Sequence, residues 1–548
     1  MKPILAWYGI QDRYTHQFPA YTHDHNLCLM QDGKIEKYFH LERFTRRKNN
    51  NGMSEIIEQL IDSELNLDQD FQVVSVNSFV GNSFISKTGK LRVEPNAPIS
   101  LTDISPGNNW FQSSPWEGFA PTGGIISHEL AHVFSCLPFF GNFKENSLLV
   151  HFDGGASQGN FSAYHFENQK LQLLENQWEL SHLSKLFNDN ALSFALMKAQ
   201  PGEHCSVPGK LMGYAAMGNT NDDLEKWLIE NDYFKDIWED DKSFTKAGKI
   251  LGWNGTLSNN KDSFLMNVAA GLQSIFQKGI VSKLKKLKEQ TKANYLYYTG
   301  GCALNITTNS EIINSSLFQD VFIPPACNDS GLSLGAAAFL NWKNKNAIQT
   351  HRPYLNFQQK NESCSFSNST IKLVAEKIMD GKIIGVCNGL GEVGPRALGN
   401  RSIIARADVP AIANRLSMKC KGREWFRPVA PIMLERNSKQ VTGLKDIHHL
   451  SRFMLLEFKI LPAYQKVIAG TVHQNNTARI QTLFNRTDNP FCYDLLDYLD
   501  EKYQLMGLIN TSFNQRGEPI VQTKADTLTS AKKMKLDGVI LHGKYQDL

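Results

Sequence analysis

No stretch of the chain approaches the ~18 uninterrupted apolar residues of a membrane span. The opening Met1-Lys2-Pro3-Ile4-Leu5-Ala6-Trp7 turns polar by Gln11 and Asp12, which leaves no signal-peptide core. The nine cysteines (Cys28, Cys136, Cys205, Cys302, Cys327, Cys364, Cys387, Cys420, Cys492) are scattered and never spaced C-x-x-C. That pattern argues against a disulfide framework or a Cys-based zinc site, and makes a reducing cytoplasm the expected location. A G-x-x-x-x-G-K-[ST] segment is absent, so the chain is not a P-loop protein. No internal repeat is visible. Charged residues make up 20% and hydrophobic residues 41% of the 548, the balance of a globular chain and not of a disordered, collagen-like or coiled-coil one.

What is present is unevenly spread. Residues 346–548 hold 28 Lys/Arg against 18 Asp/Glu, a net of +10, while residues 1–345 carry a net of −6. A basic C-terminal third suggests an anionic ligand or a solvated basic face. The polar, Asn/Gln/Ser-rich run Asn341 to Thr370 coincides with this change and reads as a linker. Two domains are therefore expected, 1–345 and 346–548. In both, apolar strand-like runs such as Ser147–Phe152, Ala293–Tyr298, Ile383–Cys387 and Met506–Ile509 lead into polar turns, and Phe264–Thr291 has helical spacing. Alternating strands and helices predict α/β architecture throughout.

In the N-terminal part, His128-Glu129-Leu130-Ala131-His132 puts two imidazoles on one helical face, as a shared metal requires. It also spells H-E-x-x-H, in which Glu129 would polarise a zinc-bound water in a metalloprotease. Two unrelated surface histidines would give the same spacing. Three glycine-marked turns compete with the protease reading: Asp153-Gly154-Gly155, Gly300-Gly301-Cys302-Ala303-Leu304-Asn305, and Asn328-Asp329-Ser330-Gly331. All lie at or near strand ends, where glycine lets backbone amides approach phosphates and an aspartate holds a metal or a ribose hydroxyl. Together they favour a nucleotide cleft.

The C-terminal motifs are more specific. Glu392 to Ser402 (EVGPRALGNRS) contains Arg396 and Arg401, and Lys421 to Pro428 (KGREWFRP) adds Lys421, Arg423 and Arg427. Arg479 stands in Thr477-Ala478-Arg479-Ile480-Gln481, and Asn510 to Pro519 (NTSFNQRGEP) supplies Asn510, Ser512, Asn514 and Arg516. Guanidinium groups grip phosphate bidentately, and Ser and Asn donors complete the orientation. Seven cations in compact polar motifs point to a triphosphate or acyl-phosphate pocket.

These motifs, with His23-Asp24, Leu41-Glu42-Arg43-Phe44-Thr45-Arg46 and Pro208-Gly209-Lys210-Leu211-Met212-Gly213, resemble the O-carbamoyltransferase family of the NodU/CmcH type, which includes nebramycin synthase. The likeness runs in order along nearly the whole chain. It departs where Glu129 replaces a histidine, where His473-Gln474-Asn475-Asn476 replaces His-x-Asp-Gly, at His25-Asn26, and between Ser157 and Pro208, where acceptor specificity would lie.

The resemblance implies an actin-like ATPase-type N-terminal domain of two ribonuclease-H-like lobes and a smaller YrdC-like C-terminal domain. It implies that carbamoyl phosphate and ATP, with Mg(II), give carbamoyladenylate in the second, and that the first passes the carbamoyl group to a hydroxyl. By this likeness His128, His132 and Asp329 hold a divalent metal, Fe(II) by expectation. Asp153, Gly154, Gly300, Gly301 and Asn305 hold the nucleotide. His23 and Asp24 serve the transfer. Lys421 and Arg479 act catalytically, and Arg423, Arg427, Asn510, Ser512, Asn514 and Arg516 bind substrate. Expected partners are a hydroxyl-bearing acceptor (a sugar, a natural product or a hydroxymethylated base), with nucleic acid left open, no membrane, and a second copy of the chain. Threonylcarbamoyl transfer to tRNA is the related alternative.

Overall fold

The computed structural model describes residues 2–10, 22–65, 71–78, 81, 83–93, 123–186, 191–197, 204–234, 240–357 and 364–548. The first sheet is built from β1 (Ile4–Tyr8), β2 (Asn26–Gln31), β3 (Lys34–His40), β4 (Gln72–Val76) and β5 (Gly123–Ile126), in the order β3-β2-β1-β4-β5. β1, β2 and β3 pair antiparallel, whereas β1, β4 and β5 pair parallel. Asp32-Gly33 joins β2 to β3 with both φ angles positive (50° and 73°), the two-residue turn that an Asp-Gly pair favours.

The second sheet repeats this plan. Its strands β6 (Ser147–Phe152), β7 (Phe161–Glu167), β8 (Lys170–Gln177), β9 (Tyr295–Thr299) and β10 (Asp320–Phe322) lie in the order β8-β7-β6-β9-β10, with the same antiparallel and parallel pairings. The sequence shows no repeat because what recurs is the pattern of the pleat and not the side chains.

Four helices matter for the site: α1 (His128–Phe134), α2 (Val207–Ala215), α3 (Ser263–Thr291) and α4 (Leu332–Lys343). The period of two in a strand sorts its side chains between cores. β1 sends Leu5 and Trp7 to one side and Ile4, Ala6 and Tyr8 to a core that it shares with α1, α4 and Leu149 of β6. Leu148, Val150 and Phe152 of β6 face away, into the core beneath α2 and α3. α1 and α4 are buried along their whole length between the two sheets. α3 spans the expected helix, with Asp262 capping its start by accepting from Phe264 N–H.

Beyond residue 345 come β11 (Tyr354–Asn356), β12 (Ile384–Cys387), β13 (Gly391–Glu392), β14 (Arg401–Arg406), β15 (Ala430–Leu434), β16 (Gln481–Leu483), β17 (Gly507–Ser512), β18 (Gly538–Leu541) and β19 (Lys544–Asp547). Seven of these form a mixed sheet, β16-β15-β17-β14-β12-β18-β19, and the α/β expectation holds in both halves. β11 and β13 instead extend the first sheet, β11 lying beside β3. The polar run read as a linker thus carries a strand and the ends of two helices. Three strand residues are too few to show a period of two. The Glu-Arg-Phe-Thr-Arg stretch helps fasten the halves: buried Arg43 donates to Gly394 O (3.1 Å), and Arg46 to Ile520 O (2.7 Å) and Pro519 O (3.0 Å). Among the described residues no helix is long and apolar enough to cross a membrane.

α1 and α4 touch backbone to backbone. A Cβ on Gly335 of α4 would fall 1.7 Å from Ala131 O and 2.8 Å from Ser135 N of α1. Gly335→Ala is expected to force the helices apart at a cost of about 3 kcal/mol, read as a lowered denaturation midpoint. Gly209→Ala in α2, where no atom lies within 4 Å, is the control and is expected to leave stability unchanged or slightly raised.

Candidate metal centre and anion site

α1 begins where β5 ends. Ser127 caps it by accepting from Leu130 N–H, and His128 N–H donates to Asn77 Oδ1 (3.1 Å) and Ser157 Oγ (2.8 Å). Helical spacing then brings His128 Nε2 and His132 Nε2 within 3.1 Å of each other. Asp329, in the turn that leads into α4, sets Oδ1 3.5 Å from the first and 3.4 Å from the second. Bonds of about 2.0–2.1 Å in a tetrahedron put ligand atoms about 3.3 Å apart, so this trio fits one divalent ion. All three side chains are buried, and no neutral arrangement of two facing imidazole nitrogens and one carboxylate oxygen satisfies every lone pair. Burial alone would raise the Asp329 carboxyl, yet His23 and His128 hold it well below the usual range.

Asp24 lies beside this trio with its backbone in the left-handed region (φ 56°). Its carboxylate meets His23 Nδ1 (3.1 Å), His40 Nε2 (3.2 Å) and Asn328 Nδ2 (3.2 Å). Asn26 Nδ2 donates to Asp329 O (2.8 Å), and His23 Nδ1 is 4.0 Å from Asp329 Oδ2. The early His-Asp pair and the Asp329 turn, some 300 residues apart, thus share one corner.

Asp153 closes the other side. Its Oδ1 accepts from Gly154 N–H (2.6 Å), and its Oδ2 accepts from Gly301 N–H (2.5 Å) and lies 3.5 Å from His132 Nε2. Gly300 has φ 94°, and a Cβ there would fall 2.1 Å from Phe152 O, so this turn requires glycine. Four of the five residues expected to hold nucleotide therefore meet beside His132. Asn305 is engaged elsewhere: its Oδ1 accepts from Thr308 N–H (3.0 Å) at a helix start, and its side chain exchanges two bonds with Gln273 (3.0 and 3.1 Å).

Glu129 does not occupy a peptidase position. Its Oε1 accepts from Ser157 N–H (3.0 Å), Gln158 N–H (2.7 Å) and Gly159 N–H (3.2 Å), so the carboxylate that completes the H-E-x-x-H spelling holds the turn after β6. Within the unmatched segment 157–208, residues 187–190 and 198–203 lie outside the described ones.

In the C-terminal part Arg396, Arg423, Arg427 and Arg479, all partly buried, lie near enough to repel one another. Burial first, then Arg396, Arg423 and Arg427, pushes the Arg479 guanidinium well below its ordinary value. Burial and then Arg427 do the same to Arg423. Arginine does not give up its proton in proteins, so this mutual repulsion amounts to a standing demand for an anion. Glu424 meets part of it, with Arg427 and Arg516 each 3.6 Å away, and Lys210 of α2 reaches the same carboxylate at 3.1 Å. That last pair links the two halves beside a cavity of about 200 Å³ whose lining includes Met217, Trp425, Phe426, Arg427 and His473. Burial and Arg479 push the His473 imidazole down to about 4, so it is neutral near pH 7.

Lys421 is committed to its own fold. Its Nζ donates to Ser512 O, to Asn514 O (2.7 Å) and to Asn514 Oδ1 (3.1 Å), and Ser512 Oγ donates to Asn514 Oδ1 (2.7 Å). Asn510 lies behind that wall, donating to Gln481 Oε1 (2.6 Å) and Ala397 O (3.2 Å). Arg396, counted among the seven motif cations but not singled out as a substrate residue, lies near Arg427, and Asn510 and Gln481 hold the loop after it, Gln481 through Leu398 O (2.9 Å).

A family model described as carbamoyltransferase N-terminus matches residues 121–338, and one described as carbamoyltransferase C-terminus matches residues 375–546. The chain belongs to the carbamoyltransferase family. Nodulation protein NolO of Bradyrhizobium diazoefficiens is 32% identical over 50% of this chain and 53% of its own length. Nodulation protein NolNO of Sinorhizobium fredii is 28% identical over 77% and 63%. This carbamoyltransferase chain therefore spans between half and two thirds of those two relatives. Nodulation protein U of Sinorhizobium fredii is 24% identical over 90% of this chain and 93% of its own.

Glu129→Gln in this carbamoyltransferase chain is expected to leave metal content unchanged and to speed amide exchange at residues 157–159 about tenfold. A carboxylate accepting three amides is worth ~1–2 kcal/mol more than a neutral oxygen there. Exchange-coupled mass spectrometry reads it. Unchanged exchange with lost metal would instead assign Glu129 to the metal.

Proposed function

We propose that the chain is an ATP-dependent O-carbamoyltransferase with two sites, one making carbamoyladenylate and one transferring the carbamoyl group to an acceptor hydroxyl. The observation that supports this reading is the gathering of Arg396, Arg423, Arg427 and Arg479, all partly buried, near enough to repel one another, a cost that a triphosphate and an acyl phosphate would repay. The repeated strand order supports two ribonuclease-H-like lobes within 1–345, and the mixed sheet after residue 383 is the proposed YrdC-like unit within 346–548.

In the first site, water releases phosphate from carbamoyl phosphate and leaves carbamate. A carbamate oxygen then attacks the α-phosphorus of ATP, forming the mixed anhydride and releasing pyrophosphate. Arg396, Arg423, Arg427 and Arg479 neutralise the departing phosphates, and their fixed positions mean that little reorganises as charge develops. Lys421 keeps the loop of Ser512 and Asn514 in place through the bonds described above.

In the second site, the acceptor oxygen attacks the carbamoyl carbon and AMP leaves. His23 is in this reading the base that takes the hydroxyl proton, with Asp24 at 3.1 Å orienting its ring through Nδ1. His40 on the other oxygen of Asp24 keeps that carboxylate oriented. His128, His132 and Asp329 would hold a divalent ion, Fe(II) in this reading, whose chemistry is to polarise the carbamoyl oxygen as a Lewis acid. Asp153 and the Gly300-Gly301 turn would orient the adenylate. The acceptor class proposed is a sugar, natural-product or hydroxymethylated-base hydroxyl.

Purified chain with ATP, carbamoyl phosphate, Mg(II) and Fe(II), without acceptor, is expected to form carbamoyladenylate and pyrophosphate, detected by mass spectrometry. Arg479→Ala should slow this at least ~100-fold, the usual loss for one donor to a developing anion. Intact ATP after prolonged incubation of metal-loaded chain would overturn the proposal.

A further inference from the structure

Lys210 of α2 is only 2% exposed and reaches across to the other half of the chain, its Nζ 3.1 Å from Glu424 Oε1. α2 gives it a firm base. Tyr214 stands edge-on to Phe426 with ring centroids 4.9 Å apart, and a Cβ on Gly213 would lie 3.5 Å from Pro428 Cδ. Both carboxylate oxygens of Glu424 are buried and neither has a hydrogen bond of good geometry, so ion pairs decide where the side chain points. Three cations compete for it: Lys210 at 3.1 Å, and Arg427 and Arg516 each at 3.6 Å. The two arginines stand beyond the about 2.7–2.9 Å of a closed guanidinium–carboxylate pair. A Glu424 drawn fully onto them would put its own carboxylate where a phosphate is proposed to bind. The buried ammonium holds its counter-charge more tightly than the half-exposed Arg516 does, because it has less water to fall back on.

We propose that Lys210 is a positioning residue for the anion site of the other half, holding Glu424 off Arg427 and Arg516 so that their donors stay available to a phosphate-bearing ligand. This role rests on the reading of the arginine cluster as a phosphate site, and names the residue that keeps that site open. Lys210 acts through Glu424 and not as a donor to phosphate. Without the ammonium, Glu424 is left to the two arginines, closes onto them and competes with the incoming anion for the same charge. The change needs a side-chain rotation and no movement of the backbone. Because Lys210 belongs to α2, the first half of the chain sets how well the second half takes up its ligand.

Calorimetric titration of the full chain with inorganic pyrophosphate, run as a double-mutant cycle, tests it. Arg479→Ala should weaken binding, which locates the pyrophosphate among the arginines. Lys210→Met should weaken it about tenfold, the size expected for neighbours in one ion-pair network, and Lys210→Arg should bind as the wild type does. With Glu424→Gln already in place, Lys210→Met should change the affinity less than about twofold, because the competitor is gone. An equal loss in both backgrounds would overturn the proposal, since it would mean that the ammonium attracts the anion directly. Unchanged affinity in Lys210→Met would overturn it too. Should Lys210→Met fail to fold, Lys210→Gln, which keeps a donor for Glu424 but no charge, takes its place in the same cycle. A wild-type chain that takes up no pyrophosphate would overturn the phosphate site itself and this role with it, a result distinct from any difference between variants.

Discussion

The site depends on how closely α4 approaches α1. α4 touches the first sheet and α1 together, and its Leu-Ser-Leu-Gly-Ala-Ala-Ala start keeps the contacting face small. Where Gly335 meets Ala131 O there is no room for a methyl group. That closeness carries the turn before α4, and with it Asp329, to the two imidazoles of α1. Sheet and helix therefore act on the chemistry through distance. A shift of one ångström between the helices would separate ligand atoms that now stand about as far apart as bonds to a single ion require.

The second half of the chain faces the opposite electrostatic difficulty. The first site gathers carboxylates and imidazoles that a cation would satisfy, whereas the second gathers guanidinium groups that an anion would satisfy. Glu424 holds the arginine cluster partly in check and, through Lys210 of α2, links it to the first half. One carboxylate among so many cations leaves a net positive corner, and the same salt bridge keeps the two sites in a fixed relation. The adenylate proposed above, which water would destroy, would be better passed between sites held this way than released to solution.

Much of the first site was legible because helical spacing is local. His128 and His132 announce themselves at i and i+4, and the glycine turns at Asp153 and Gly300 follow visible strands. Glu129 was misleading for the same reason, since the spelling says nothing about which way the side chain turns, and three amides of a later loop decide it. The duplicated sheet was implied by the family resemblance but hidden from residue patterning, because a strand order needs only alternation and not shared residues. Arg396 lay in a recognised motif, but the arginines beside it come from two other motifs, and only folding joins them.

Lys421 shows where motif reading stops. A lysine among arginines suggests a phosphate ligand by charge alone. Its ammonium is nevertheless taken up by the carbonyls of Ser512 and Asn514, and burial with Arg423 and Arg427 lowers its pKa well below the ordinary value. An ammonium that satisfies two carbonyls and one amide oxygen has little left to give an incoming phosphate. Its charge still contributes to the field of the pocket, but its directional bonds hold the loop.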